Sequence, residues 1–351
     1  MSRPARSEES PWSGAIGGAL DYLERQQLAY GEFRTFIASD FEMTQDCEFD
    51  SSPFTTALVL YALGFLEGSA DAAGGDDADR ATRRDAIFQR ALGFLLDEME
   101  TPGIWRYWTR RSGKGIAPDA DDTSMISQVI RSYILGRPDA DEGIRQALQG
   151  ILDSNRRLLE ANRDPSGLFY TWFVDPGQPN DVDGVVNANV VFYLGETPAT
   201  AAACDQLVHW VEEGHEAGAY WYYTNHWALY YAITRAWRHG ASRLDSAIPT
   251  IRRKVLAARR ADGSFGSPLA TALAVCTLLD VAANDDAVVA EANATLVAGQ
   301  GSDGSWPMAA FYCGPNPPRP VNRFFGSAEL TTALCLEALA RSSEISLEVT
   351  T

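Results

Sequence analysis

The chain has 351 residues, room for one large domain or two ordinary ones. Hydrophobic residues make up 46% and charged residues 22%, which excludes a disordered or fibrous chain. Forty-seven acidic residues against 29 basic ones give a net charge of −18, which argues against general binding to nucleic acid or to an anionic membrane.

The five cysteines (Cys47, Cys204, Cys276, Cys313, Cys335) are scattered and form no CxxC pair. Neither a disulfide framework nor a zinc knuckle is expected. The first residues lack the apolar core of a secretion signal, and no uncharged apolar run reaches the ~18 residues of a membrane span. A cytoplasmic protein without an integral membrane segment is expected.

Along the chain one pattern recurs six times: an amphipathic helix, a turn with a glycine and an aromatic residue, a loop, a small or polar cap, and a nearly all-apolar helix. The turns are Gly31-Glu32-Phe33, Gly103-Ile104-Trp105, Gly167-Leu168-Phe169, Gly218-Ala219-Tyr220, Gly263-Ser264-Phe265 and Gly304-Ser305-Trp306. After the first, Ser52-Pro53 is a good N-cap and N1 pair and opens an apolar helix. Next, residues 83–96 alternate charge and apolarity with helical period, as a one-sided helix should. Ser267-Pro268 and Ser327 repeat the cap design before the fifth and sixth apolar helices. A helix apolar all round must be buried on every side.

Six buried and six half-buried helices predict an all-α (α/α)6 barrel: an inner ring wrapped by an outer one, forming a single domain over residues 12–342. Flexible tails at 1–11 and 343–351 and a mobile insert at Ser69–Asp79 are expected. All inner helices run the same way, so six helix N-termini meet at one mouth, which favours anions and acidic side chains.

Pro118-Asp-Ala-Asp-Asp-Thr-Ser124 sets Asp119, Asp121 and Asp122 at the start of the second inner helix. Ordinary capping accounts for one of them. Three acids at a closed, apolar mouth cannot all ionise cheaply, because like charges and desolvation both favour the protonated form. That is a general-acid arrangement. An acid over an aromatic, water-poor cavity suits protonation of an alkene, since ring faces stabilise the carbocation and dryness prevents early quenching. The same parts serve an inverting glycosidase if a second carboxylate (Asp50, Asp183 or Glu329) lies roughly 6.5–9.5 Å away. A barrel that binds a terpenoid or lipid without converting it is a third reading.

Asp119-Ala-Asp-Asp-Thr123 resembles the D-x-D-D-T acid motif of the class II terpene cyclases, the squalene–hopene cyclase group. Gln300-Gly-Ser-Asp-Gly-Ser-Trp306 is similar to that group's Q-x-x-D-G-S-W repeat, and Arg259-Arg-Ala-Asp-Gly-Ser-Phe265 is a degenerate copy. The resemblance covers about residues 15–340 and the family's catalytic barrel alone. It implies protonation-initiated cyclisation of a linear isoprenoid, with Asp121 as the acid and Asp119 and Asp122 in support. It also implies that Gln300, Asp303 and Trp306 are structural. The companion barrel of most members is missing, so a second copy, a partner or the loops 106–118 and 307–325 must close the site. Magnesium would be required if the substrate carries a diphosphate.

Arg106, Arg110, Arg111 and Lys114 read as a diphosphate clamp or as a solvated loop neutralising an acidic mouth; Arg319 and Arg323 invite the same pair of readings. His226 could restore the acid's proton, or Asn225-His226 could be a helix cap beside a satisfied imidazole. Asn187 and Asn189 are amides that need partners, from a ligand or from neighbouring helices. Trp105, Trp108, Tyr170, Trp172, Trp221, Tyr222, Trp227 and Phe324 could line the cavity or belong to the core. A zinc prenyltransferase is rejected, because no His follows His239 and the later cysteines have no downstream partner.

Overall fold

The computed structural model describes residues 10–69, 75–135, 141–281, 285–315 and 319–348. Its helices, in chain order, are α1 (Ser13–Gln26), α2 (Pro53–Leu63), α3 (Gly75–Asp97), α4 (Ala120–Leu135), α5 (Glu142–Ala161) and α6 (Gly184–Leu194), then α7 (Ala201–Glu212), α8 (His226–Arg238), α9 (Ile248–Ala257), α10 (Pro268–Asp280), α11 (Asp286–Ala298) and α12 (Ala328–Glu348). α1 begins next to the expected boundary at residue 12, while α12 continues past 342. The expectations for residues 1–9, 70–74 and 349–351 lie outside the described residues.

Every even-numbered helix starts on a side-chain cap. Ser52 accepts from the Phe54 amide at 3.3 Å, Asp119 from Asp122 at 2.8 Å, and Asp183 from Val185 at 2.7 Å. Asn225 accepts from Trp227 at 3.1 Å, Ser267 from Ala270 at 3.2 Å and Ser327 from Leu330 at 3.0 Å. Each bond satisfies one of the orphan amides of a first turn. These helices are apolar and buried, α6 at all of its positions, and they touch in cyclic order: α2 on α4, α4 on α6, α6 on α8, α8 on α10, α10 on α12, and α12 back on α2. The odd-numbered helices pack against them; α1 and α11 lie against α12, α3 against α2, α5 against α4, α7 against α6 and α9 against α10.

Five of the six turns share one construction. The amide after the turn (Phe33, Trp105, Phe169, Phe265, Trp306) donates to a Thr or Asn oxygen in the first turns of the next inner helix: Thr56, Thr123, Asn187, Thr271 and Thr332, at 2.9–3.1 Å. Their glycines sit at positive φ, Gly304 at +89°, where a Cβ would meet the Gly18 carbonyl at 2.0 Å. The fourth departs from the rule: a 3-10 turn over Glu216–Gly218 replaces the left-handed glycine.

The all-α expectation needs correction. A four-stranded antiparallel sheet lies among the loops, formed by β1 (Phe36–Ala38), β2 (Glu48–Phe49), β3 (Ala309–Gly314) and β4 (Arg323–Ser327) in the order β2-β1-β4-β3. The register pairs Phe36 with Gly326 and Ile37 with Phe325. The first and last repeats are thereby joined by main-chain bonds between segments nearly three hundred residues apart. Gly326 is required here, since a Cβ would lie 2.0 Å from the Ala309 carbonyl. No helix among the described residues is long and apolar enough to cross a membrane.

Candidate active site

A cavity of about 930 Å³ opens among the N-terminal ends of α2, α4 and α6, the segment 221–223, and the β3–β4 hairpin. Asp119, Asp121 and Asp122 all line it. Opposite and beside them stands a contiguous aromatic wall. Phe54 lies 5.3 Å from Tyr312, Tyr107 lies 5.5 Å from Phe325, and Tyr223 lies 5.5 Å from Tyr312, centroid to centroid.

The three carboxyls differ in their partners. Asp121 accepts from Asn189 Nδ2 at Oδ1 and from the Tyr223 hydroxyl at Oδ2, both at 2.6 Å. Asp119 caps its helix through Oδ1, leaving Oδ2 without a partner, as is Asp122 Oδ1. Burial raises all three. Asp119 is pushed up to about 7 by desolvation and the neighbouring Asp121 charge. Asp122 is raised well above the ordinary carboxylate range, driven by desolvation and then by Asp119 and Asp121. Asp121 is raised by desolvation, while Asn189, Tyr223 and Arg235 pull it back. Burial thus pushes all three toward the protonated form, and the donors and charge around Asp121 make it the member whose loss of a proton is best supported.

Of the other candidates, Trp108 lines the cavity, its Nε1 donating to Asp50 at 2.9 Å, and Asn189 holds the acid. Trp172, Trp221 and Tyr222 line the cavity as well, whereas the remaining candidates are placed elsewhere. Trp105 is fully buried, its indole N–H donating to the Leu95 carbonyl. Asn187 is spent on the Phe169 amide and carbonyl and on the Asp183 carbonyl. Asn225 caps α8, and the His226 ring packs 4.6 Å from Trp227 with burial pushing its imidazole down toward the neutral form. Trp227 packs against Phe265 at 5.8 Å. Phe324 lies on the far side of β4, edge-on to Phe41 at 5.7 Å; strand alternation sends its neighbour Phe325 to the cavity instead.

The clamp arginines are likewise occupied. Arg106 pairs with Glu100 and donates to the Ile116 carbonyl, and Arg110 and Arg111 both engage the buried Glu98. Of the basic loop only Lys114 reaches the cavity, 2.6 Å from Asp50. Arg319 and Arg323 line the rim. Residues missed in the sequence are Tyr223, Tyr107, Phe54, Tyr312 and Arg235; a lone arginine within the apolar run 228–236 was the available signal. Among the described residues no group of three or more His, Cys, Asp or Glu side chains is arranged to hold a metal ion.

No protein-family model matches the sequence, and no curated protein matches it. Solved structures do. The type II terpene cyclase MstE from Scytonema superposes with a TM-score of 0.69 at 19% identity, covering 95% of this chain and 99% of that one; a variant of it is known in complex with its substrate, geranylgeranyl dihydroxybenzoate. The ent-copalyl diphosphate synthase from Streptomyces platensis matches with a TM-score of 0.50 at 16% identity, over 83% of this chain and 50% of that chain. A GH76 alpha-mannanase from Bacteroides thetaiotaomicron gives 0.60 at 10% identity over 98% of both. Since MstE is matched along nearly its whole length, a cyclase of this fold exists at this chain's size.

Proposed function

We propose that this chain, whose fold is that of the class II terpene cyclases, is a single-domain (α/α)6 toroid over residues 12–342 that cyclises a linear isoprenoid by protonation. Asp121 delivers the proton to a terminal alkene or epoxide. Its O–H bond breaks, the new bond forms at the substrate, and the positive charge left there faces Tyr107, Phe54, Phe325 and Tyr312, whose ring faces attract cations. Asp119 and Asp122 keep the site's proton inventory. Loss of a proton or capture of water ends the reaction. The cavity volume accommodates a polyprenyl chain, and the rim arginines suit a polar or anionic head, as on the aryl acid of the MstE substrate. Magnesium would enter only with a diphosphate substrate.

The observation that carries this reading is Asp121 itself: buried, gripped at both oxygens by neutral donors, and facing an aromatic cavity. The glycosidase reading draws on the mannanase likeness, but the three carboxylates expected for its second role are engaged elsewhere. Asp50 is bound by Lys114 and Trp108, Asp183 by the amides of Val185, Val186, Trp221 and Tyr222, and Glu329 by Arg34; none of the three lines the cavity. The test is Asp121→Asn, checked for an unchanged circular dichroism spectrum and assayed against prenylated aryl acids, polyprenyl diphosphates and neutral polyenes. Loss of cyclised product is expected. Full turnover by the variant overturns the assignment, and recovery of unaltered ligand from wild-type protein favours a binding barrel.

A further inference from the structure

Arg235 is a cation at the centre of the barrel, only 2% exposed, with no carboxylate at ion-pair distance among the described residues. Its guanidinium carbon lies 4.6 Å from the Phe192 ring centroid, 4.7 Å from Tyr231 and 5.0 Å from Tyr61. Nη2 donates to Asn189 Oδ1 at 2.6 Å and touches Met125 Sδ at 3.2 Å. A guanidinium has donors only, so the Asn189 amide must turn its oxygen toward Arg235. Its NH₂ is thereby aimed at Asp121 Oδ1, 2.6 Å away. Neither Asn189 nor Arg235 lines the cavity, so both stand behind the acid rather than beside a ligand.

Asp121 and Glu337 both feel the charge of Arg235. Tyr61 on α2 and Tyr231 on α8 stay neutral, since burial pushes both phenols up. Tyr223, ahead of α8, is neutral for the same reason. Glu337 on α12 is held by Arg341 at 3.0 Å and by the Tyr231 hydroxyl at 2.8 Å, and Arg341 also binds Asp280 of α10 at 2.5 Å. Those two acids have their own cation. α4 and α6 present Met125, Asn189 and Phe192 to the guanidinium.

We infer that Arg235 is a positioning residue for the proton donor: it orients the Asn189 amide and supplies the fixed positive charge that stabilises the Asp121 carboxylate once its proton has gone to the substrate. The inference rests on Asp121 being that donor. Removing the charge makes Asp121 hold its proton more tightly, so the variant is a weaker acid that stays protonated to higher pH. Turnover should fall while the descending limb of its pH profile moves upward, a combination that a loss of packing does not produce.

The experiment compares Arg235→Gln, which keeps a donor but loses the charge, with Arg235→Lys, which keeps the charge. Two readouts are taken: kcat against pH, and titration of the Asp121 carboxyl stretch by infrared difference against Asp121→Asn in ligand-free protein. For R235Q, kcat about tenfold lower with the limb and the carboxyl titration about one pH unit higher is expected; R235K should leave the titration near that of wild type. If R235Q does not fold, Asn189→Ser carries the test, with the same upward shift expected. A titration unmoved in the neutral variant while the rate falls, or moved equally in R235K and R235Q, overturns the role. Should wild-type protein cyclise no isoprenoid, the functional reading fails, while the ligand-free titration still decides the part played by Arg235.

Discussion

Trp105 and Trp306 stand at the same place in two repeats. Each indole N–H donates to the carbonyl ten residues upstream, Leu95 at 2.7 Å and Leu296 at 2.8 Å, in the last turn of an outer helix. The Leu296 carbonyl also accepts from the Gly299 amide at 3.0 Å, whereas no backbone donor among the described residues reaches that of Leu95, so each tryptophan ties down the end of the helix that precedes it while filling the core. Gln300 adds to the second copy, donating to the Ala15 and Gly304 carbonyls at 2.9 Å and so joining the last outer helix to α1.

Stability should therefore report on these tryptophans while ligand affinity does not. Trp306→Phe takes one of its two donors from the Leu296 carbonyl and should cost about 1 kcal/mol in chemical denaturation. Trp105→Phe should behave alike, with an unchanged Kd for a prenylated ligand. A Trp105 variant of wild-type stability that binds poorly would return that residue to the cavity.

How far the sequence reads follows from the range of each interaction. The helix caps, the left-handed glycines and the D-x-D-D run are local, and each is written within a few residues. Trp105 and Trp306 look alike for the same reason, although the sequence alone let one pass as a ligand contact. The sheet was not legible: β1 and β2 are three and two residues long, and what makes them strands is β4, supplied from the other end of the chain. Tyr223 and Arg235 were missed because their importance lies in reaching Asp121 across the ring, 102 positions away for Tyr223. Phe324 and Phe325 differ only by strand parity, which a segment read as loop does not reveal.

The carboxyl trio makes the pH dependence of stability run against the usual acid trend over one window. Asp119 binds its proton more tightly folded than unfolded, with a folded value near 7 against an ordinary 3.8. Between those values the native state holds more protons, so stability falls as pH rises and levels off above 7. Asp183, pushed up to about 6 chiefly by burial, adds in the same direction. Asp119→Asn keeps the capping oxygen and removes the titration. Its thermal midpoint should change less than that of wild type between pH 5 and 8, and it should be the more stable protein at pH 8 by about 2 kcal/mol. A wild-type midpoint that rises across this window would contradict the protonated trio.

Tyr223→Phe removes one of the two donors on Asp121 while keeping the ring in the aromatic wall. The freed Oδ2 then has no partner, and the carboxylate formed on proton transfer loses a hydrogen bond of the charged type. A fall of about tenfold in kcat with KM unchanged is expected, because the contact strengthens as charge develops and does not involve the bound chain. Equal changes in kcat and KM would mean instead that Tyr223 shapes the cavity.

The head group of the substrate is the part of the site left to Arg319 and Arg323. Both are exposed on the rim beside Cys313, Gly314 and Pro315, in a chain where Arg106, Arg110 and Arg111 already have acidic partners. They lie on a hairpin, away from the buried trio, so their loss should spare the chemistry. The double variant Arg319→Ala with Arg323→Ala should raise KM for an isoprenoid with a carboxylate or phosphate head by about tenfold and leave kcat within twofold, as expected for two screened, partly solvated contacts. A neutral polyene of the same length should show no change in KM, and the effect on the charged substrate should shrink as salt is raised. Equal penalties for charged and neutral substrates would show that the hairpin acts by closing the mouth rather than by charge.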